Sequence, residues 1–474
     1  MYRVPEEYYL RLHHIRPRFK NDVESVLLFM ANEISRIEPS EYETFKTNLN
    51  AAIKLYPGNA SATDKTVNNW RTEISSLFGL IEYDGDKAKP SRMAELLTEK
   101  QDLIEFFRYF LYYFQYPGGH LKPHISAEYL SSGVKFKPVR YLLQVMLEGK
   151  KQVGQDSKFG ITKAEATHLI FNDLRVTRDN RDPSETAKII LDNRLANVEY
   201  DSGGDVIRYA GDILDYMELA DLVKLRPNYQ YYLNTINLET IQAFVNSDQY
   251  FSSYDQLSGR KDIQPAEVAN TQDAWFAYVN NQLDTSIFEA NILSIIEELG
   301  EKAEAKEQTA FIFEVLQKIR SRREAEQTLK TKEIGDVGES IVIEHEKIRL
   351  TNLDRKELLH LIKKIPEHFA VGYDISSYDG VNNLRRYIEV KTTISRGKLF
   401  TNNFHMTPSE WSAADTLGEF YYVYRLLISG EDVTLFLISN PVGKYKEDLI
   451  EMVPRDGADI RYKEKSGKWE KLLV

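Results

Sequence analysis

The chain has 474 residues, of which 42% are hydrophobic, 28% charged and 12% aromatic, with a formal net charge of −11 and no cysteine. That length suits roughly two to four domains, and the composition is that of a folded, water-soluble protein rather than a disordered or fibrous one. The lack of cysteine excludes disulfides, cysteine nucleophiles, iron–sulfur clusters and zinc–thiolate sites, and the acidic balance argues against non-specific coating of nucleic acid while leaving room for local basic patches.

No apolar run approaches the roughly 18 residues of a membrane span. The start, Met1-Tyr2-Arg3-Val4-Pro5-Glu6-Glu7, has no basic stretch followed by an apolar one. The expectation is a cytoplasmic protein with no membrane partner. No phosphate loop is present: Ser466-Gly467-Lys468 has Tyr462 where the earlier glycine belongs. GxGxxG does not occur either, so no ATP or dinucleotide site is expected, and there is no GxSxG nucleophile elbow.

The first part of the chain, residues 1–120, reads as a winged-helix-like recognition module. Val23, Val26, Leu27, Met30 and Ile34 recur at helix spacing. After Pro57-Gly58-Asn59, Asp64 is placed to cap a second helix, with Val67, Trp70, Ile74, Leu77 and Phe78 on one face and Gly79 at its end. Leu80–Tyr83 then reads as a short strand, followed by the polar turn Asp84-Gly85-Asp86-Lys87. The polar helix face carries Asn68, Asn69 and Arg71, whose side chains suit bidentate bonds to base edges. A plain solvated helix face has the same composition.

Residues 121–283 read as a second such module. Pro138 opens a helix, and Thr162 with Glu165 forms a capping box for the next. A basic turn contains Arg175, Arg178 and Arg181, and Arg178 and Arg181 are candidate DNA contacts. Ile207, Ala210, Leu214 and Met217 mark a further helix, followed by strand, turn at Arg226-Pro227-Asn228, and strand. No internal repeat is visible. Residues 284–332 read as a helical connector. Its stripes are Ile292, Ile295, Ile296 and Leu299, then Phe311, Val315, Leu316 and Ile319. A basic run from Lys318 through Arg323, Lys330 and Lys332 is either a solvated face or a phosphate-contacting one.

The chemistry concentrates in residues 333–474. A helix pattern at Ile334, Val337, Ile341 and Ile348 contains Gly338-Glu339, and a polar helix is expected around Leu358–Ile365. Val371-Gly372-Tyr373-Asp374-Ile375-Ser376 and Arg385-Arg386-Tyr387-Ile388-Glu389-Val390-Lys391-Thr392 follow. The second run alternates as a strand, so Tyr387, Glu389 and Lys391 share one face, and Ile388 and Val390 the other. Two carboxylates converging on one spot repel unless a cation lies between them, and hard oxygen ligands suit Mg²⁺ or Mn²⁺. A lysine two residues after the glutamate reaches the same place, where it can orient water and face phosphoryl oxygens. On spacing alone, a surface strand with an i,i+2 ion pair is the favoured reading.

Gly338-Glu339, Gly372-Tyr373-Asp374-Ile375 and Arg386–Thr392 together resemble the PD-(D/E)xK nuclease superfamily, and more closely its Mrr-related domains. The segment Phe404–Trp411 and the tyrosine-rich Phe420–Arg425 extend that resemblance. It implies an α/β nuclease domain in which Asp374, Glu389 and the Val390 carbonyl hold the metal and Lys391 is the catalytic lysine. Glu339 would be an auxiliary acid, and Thr407 and Glu410 structural, as caps of the helix that follows. Tyr373 stands where the superfamily name has proline. The whole chain resembles, at the level of architecture, a type II restriction enzyme of the IIS sort.

The combined expectation is a multidomain protein: a mainly α, winged-helix-like N-terminal region, a helical connector and a C-terminal nuclease domain. It would cut double-stranded DNA at a specific site with Mg²⁺, Mn²⁺ being able to substitute, without ATP, as a transient or stable homodimer. The alternatives are a modification-dependent endonuclease, a structure-specific repair nuclease, and a non-catalytic DNA-binding regulator.

Overall fold

The computed structural model describes residues 1–16, 22–154, 157–280, 288–301, 306–323, 334–399, 401–454 and 457–473. The chain divides into two compact units. One comprises Met1–Ala94 and Ile104–Phe288, the other Glu95–Leu103 and Glu289–Val474.

The first unit is mainly helical. Its opening elements are α1 (Val23–Ser35), β1 (Ser40–Glu41), α2 (Tyr42–Leu55), α3 (Asp64–Thr72), β2 (Ile81–Asp84) and β3 (Lys87–Pro90). Val23, Val26, Leu27, Met30 and Ile34 of α1 are all buried, as their spacing requires. The cap of α3 is Thr63 rather than Asp64: the Thr63 side chain accepts from the Thr66 N–H. Asp64 sits one step inside, where its charge complements the helix dipole. The helix does not run on regularly to Gly79. It widens into a π turn over Glu73–Leu77, which ends at Phe78 before Gly79 turns the chain with φ of 66°.

A second set of elements follows: α4 (Pro138–Val153), β4 (Gly160–Ile161), α5 (Gly204–Leu219), β5 (Val223–Leu225) and β6 (Tyr231–Leu233). Pro138 occupies the first turn of α4. The capping box of Thr162 and Glu165 forms in both directions. The first small sheet has the order β1-β3-β2 and the second β4-β6-β5. Each is a hairpin whose return strand takes a short earlier strand on its free edge, antiparallel throughout. This shared topology has no visible sequence repeat behind it.

In the second unit, the helices Ile292–Glu301 and Lys306–Arg323 come first. Ile292, Ile295, Ile296 and Leu299 are buried. These helices, whose sequence reads as a connector, group with this unit. Lys330 and Lys332 lie outside the described residues. Next come α6 (Ile334–Asn352), β7 (Lys363–Lys364), β8 (Ile375–Tyr378), β9 (Arg385–Ser395), β10 (Asn403–Met406) and α7 (Pro408–Leu417). The chain ends with β11 (Tyr421–Ser429), β12 (Val433–Ser439), β13 (Ile450–Pro454), β14 (Ala458–Tyr462) and β15 (Lys468–Glu470). The polar helix expected around 358–365 is instead a short 3₁₀ turn, Lys356–Leu361, leading into β7. Pro366 disfavours helix at the residue before it, and β7 finds backbone partners on β8.

The six-stranded sheet has the order β15-β12-β11-β9-β8-β7, and a three-stranded sheet the order β10-β14-β13. Only the β9–β11 pair of the larger sheet is parallel. α6 packs on β9 so closely that a Cβ at Gly338 would lie 2.0 Å from Thr392 Oγ1. Tyr421, Val423, Phe436 and Ile438 of the larger sheet share a core with Phe404, Met406, Ile460 and Ala414.

Candidate active site

β9 carries Glu389 and Lys391, two residues apart and therefore on one face. Asp374 stands at the entrance to the neighbouring β8 and is fixed by both ends of its own residue. Its N–H donates to the Ile388 carbonyl at 2.9 Å, and its Oδ2 accepts from the Val390 N–H at 2.8 Å. The chain reaches this position through Gly372, at φ of 77°, where a Cβ would meet the Ser409 carbonyl at 2.4 Å. Only glycine fits that approach. The Tyr421 hydroxyl donates to the Gly372 carbonyl at 2.8 Å and steadies it.

Lys391 Nζ lies 2.9 Å from Glu389 Oε1 and 2.6 Å from Glu410 Oε2. Glu410 occupies the third position of α7. Thr407 caps that helix, and the reciprocal box with Glu410 is complete. The capping role expected for Thr407 and Glu410 is present, and Glu410 has a second role beside it. Its Oε2 accepts from the Thr407 N–H at 3.1 Å and from Lys391.

The charges in this pocket are unequal in comfort. Burial raises the Asp374 carboxyl, against the Val390 N–H and Lys391, which lower it. Burial drives Glu389 well above the usual carboxylate range; Lys391 opposes this, and Asp374 and Glu410 add to it. Burial also works against the Lys391 ammonium, but Glu389 and Glu410 outweigh it and its pKa rises. Glu410 is held below the usual range because Lys391 and the Thr407 N–H overcome its burial. Glu339, from α6, is raised to about 7 by burial, opposed by Lys364, with Asp374 pushing the same way as burial. Its Oε2 is 2.8 Å from Lys364 Nζ.

The structure therefore brings Asp374, Glu389, Val390 and Lys391 together, with Glu339 close enough to feel Asp374. Among the described residues no group of three or more Asp, Glu or His side chains surrounds one metal position. The candidate donor set is two buried carboxylates and a backbone carbonyl. Burial pushes both carboxylates toward the neutral form, helped by Glu410 at Asp374 and by Asp374 and Glu410 at Glu389, and such a pair is suited to a hard divalent cation.

The candidate DNA contacts fall in the first unit. Asn68 is exposed on α3, and Asn69 and Arg71 are half-buried. Arg71 donates to Asn50 Oδ1 at 2.9 Å. Arg178 is paired with Asp179 at 2.7 Å. Arg181 is largely buried, and its guanidinium is held by the fully buried Asp173 at 2.8 Å. It supports the turn rather than reaching outward. Two residues of interest escape the sequence reading. The spacing marks Glu410 as a cap alone. Tyr229, at the tip of the β5–β6 hairpin, is 80% exposed and sits at φ of 60°, a strained place for an aromatic residue.

A family model described as restriction endonuclease BpuJI, N terminal, matches residues 2–276, more than half of the chain. The chain belongs to the BpuJI N-terminal family of restriction endonucleases. A second model, described as the C-terminal region of protein NO VEIN, matches residues 338–438. That range contains Glu339, Asp374, Glu389, Lys391 and Glu410. No curated protein matches the chain. The BpuJI family likeness is also one of fold. The crystal structure of the BpuJ1 endonuclease binding domain with pyrene- and phenanthrene-modified DNA is 23% identical, covers 58% of this chain and 99% of that one, and has a TM-score of 0.50. The structure of FokI bound to DNA aligns at 11% identity over 81% of this chain and 80% of that one, with a TM-score of 0.19, too low to indicate a shared fold. Among the described residues no helix is long and apolar enough to cross a membrane.

Proposed function

We propose that the chain is a Mg²⁺-dependent, site-specific endonuclease that cuts double-stranded DNA. The observation that carries this reading is the convergence of Asp374, Glu389 and Lys391 at one buried spot of β8 and β9, in a chain of restriction-endonuclease family. DNA as the substrate is supported by the BpuJ1 binding domain, whose structure is a complex with DNA. On this reading the second unit is a PD-(D/E)xK domain of the Mrr-related kind. The two helix-and-hairpin modules of the first unit are winged helices that read the site. Cutting both strands calls on a second copy of the chain, because the described residues of each chain hold one such centre.

Asp374, Glu389 and the Val390 carbonyl would hold Mg²⁺ or Mn²⁺. When bound, the cation supplies positive charge beside the scissile phosphate. Lys391 presents its ammonium to the phosphoryl oxygens and orients the attacking water. Glu389 and Glu410 together keep that ammonium charged, and Glu410 holds it in place. Glu339 is the reserve acid: at a pKa of about 7 it can take or release a proton near neutrality.

The test is cleavage of unmethylated and methylated phage DNA, with and without Mg²⁺, beside Lys391→Ala. Discrete Mg²⁺-dependent fragments from unmethylated DNA, absent with the variant, are expected. Fragments from methylated DNA only would replace this reading with modification dependence. Binding without any cleavage would replace it with a regulator.

A further inference from the structure

Arg425 on β11 stands in register with Lys391 on the parallel strand β9. It is fully buried. Among the described residues no carboxylate pairs with it, and burial lowers its pKa to about 10. A guanidinium so placed needs neutral acceptors for its donors. Three meet its terminal nitrogens, while its Nε is buried without a partner among the described residues. Its Nη1 donates to the Lys391 carbonyl at 3.0 Å, and its Nη2 to Thr393 Oγ1 at 2.6 Å and to Gln101 Oε1.

Gln101 closes this arrangement. Its Oε1 also accepts from the Thr393 hydroxyl at 2.6 Å, and its Nε2 donates to the Asn403 carbonyl at 3.3 Å. The residue is buried and held at φ of 51°, a left-handed conformation that costs a non-glycine residue energy. Beside it, Asp102 makes a parallel bridge with Ile394. Gln101 thus comes from the part of the chain that the BpuJI family model covers, yet it seats on the strand that carries Glu389 and Lys391.

We propose that Gln101 is a positioning residue for the nuclease centre, fixing the β9 backbone at Lys391 through Arg425 and Thr393. This rests on the endonuclease reading above. Without the Gln101 amide, the Arg425 guanidinium turns toward other acceptors and the Lys391 carbonyl loses its anchor. The lysine side chain then moves with its backbone, and displacements near 1 Å at a catalytic group can cost about a hundredfold in rate.

The experiment uses the full chain with Gln101→Ala, Gln101→Asn and Gln101→Glu. Asparagine accepts the left-handed backbone but is one methylene too short, so it keeps the fold and withdraws the amide. Glutamate offers Arg425 a carboxylate. Three readouts are taken: single-turnover cleavage of saturating DNA with Mg²⁺, DNA affinity, and hydrogen exchange of residues 388–395. The Ala and Asn variants are expected to cut about 10- to 100-fold more slowly with affinity changed less than about twofold, and to exchange faster over 388–395. The Glu variant restores both rate and protection. Unchanged exchange in the Asn variant, or equal loss in the Asn and Glu variants, overturns the proposal. If the parent protein cuts nothing, the endonuclease reading falls, while the exchange result still decides whether Gln101 anchors β9.

Discussion

Glu410 Oε2 lies 2.6 Å from Lys391 Nζ while accepting the Thr407 N–H at 3.1 Å, so one carboxylate oxygen both caps α7 and holds the lysine. The two duties can be separated. Glu410→Gln keeps the capping geometry, since glutamine serves at that position of a capping box. It removes one of the two charges, Glu389 being the other, that keep Lys391 protonated. We expect cleavage by Glu410→Gln to fall about tenfold or more with stability changed by less than about 1 kcal/mol. Single-turnover rates and urea unfolding on the same samples check this; a rate equal to the parent's would remove Glu410 from the centre.

Glu389→Gln should abolish cleavage with little change in the stability of the metal-free protein. Burial and the neighbouring carboxylates resist the Glu389 charge, whereas Lys391 favours it. A neutral isostere relieves the first and forfeits the second, and Glu410 still pairs with the lysine, so the net change is expected to stay within about 1 kcal/mol. Adding Mn²⁺ at about 100 times its Kd should then stabilise the parent by about 2.7 kcal/mol and the variant far less. Thermal melting with and without Mn²⁺ reads both effects. A parent protein indifferent to Mn²⁺ would remove the metal from the mechanism.

Gly338→Ala should destabilise by about 1–3 kcal/mol, because the new methyl would sit 2.0 Å from Thr392 Oγ1. Thr392 Oγ1 is buried without a hydrogen-bond partner, so Thr392→Ala vacates the space at little cost. The double variant should recover most of the loss. Urea midpoints of the two single variants and the double one decide it: additive losses would mean that the contact is not the cause.

His14 makes stability pH-dependent. Burial lowers its pKa from 6.5 to about 4, against Asp212, with Arg16 and His13 adding to the fall. Between those values the unfolded chain binds the proton and the folded chain does not. Stability should therefore drop by about 3 kcal/mol as pH falls from about 6.5 to about 4, then level off for this group. His120, buried and lowered in the same way, steepens the slope. Urea midpoints across this range, with His14→Gln showing a shallower dependence, test the assignment.

Arg181 and Asn68 should respond oppositely. Arg181→Ala takes a partner from the buried Asp173, although Arg175 still pairs with that carboxylate at 2.7 Å. It should cost about 1–3 kcal/mol of stability with little change in DNA affinity per folded molecule. Asn68→Ala, on an exposed helix face, should leave stability within about 0.5 kcal/mol and weaken binding to the specific site. Gel-shift titrations at fixed salt beside melting curves separate the two.

What is legible in the sequence follows periodicity. β9 shows because Ile388 and Val390 alternate with Glu389 and Lys391, and the α7 cap because Thr407 and Glu410 have the spacing of a capping box. The bond from Glu410 to Lys391 does not, since it depends on how α7 packs across nineteen residues of chain. Arg181 looks exposed because the turn around it is polar; the fully buried Asp173 that holds it reads as an ordinary loop residue. β1 and β4 are two residues long, too short for any alternation to show. The shared order of the two small sheets is therefore hidden at the level of sequence.

The grouping of Glu95–Leu103 with the C-terminal unit bears on how this protein can be cut and recombined. On the endonuclease reading, a gene fragment beginning at Glu289 would encode the proposed centre without Gln101, leaving Arg425 and Thr393 facing a gap. Such a fragment, fused to another targeting module, would be a poor chimera. A graft that also supplies a Gln-Asp peptide able to lie along the end of β9 would be a better starting part.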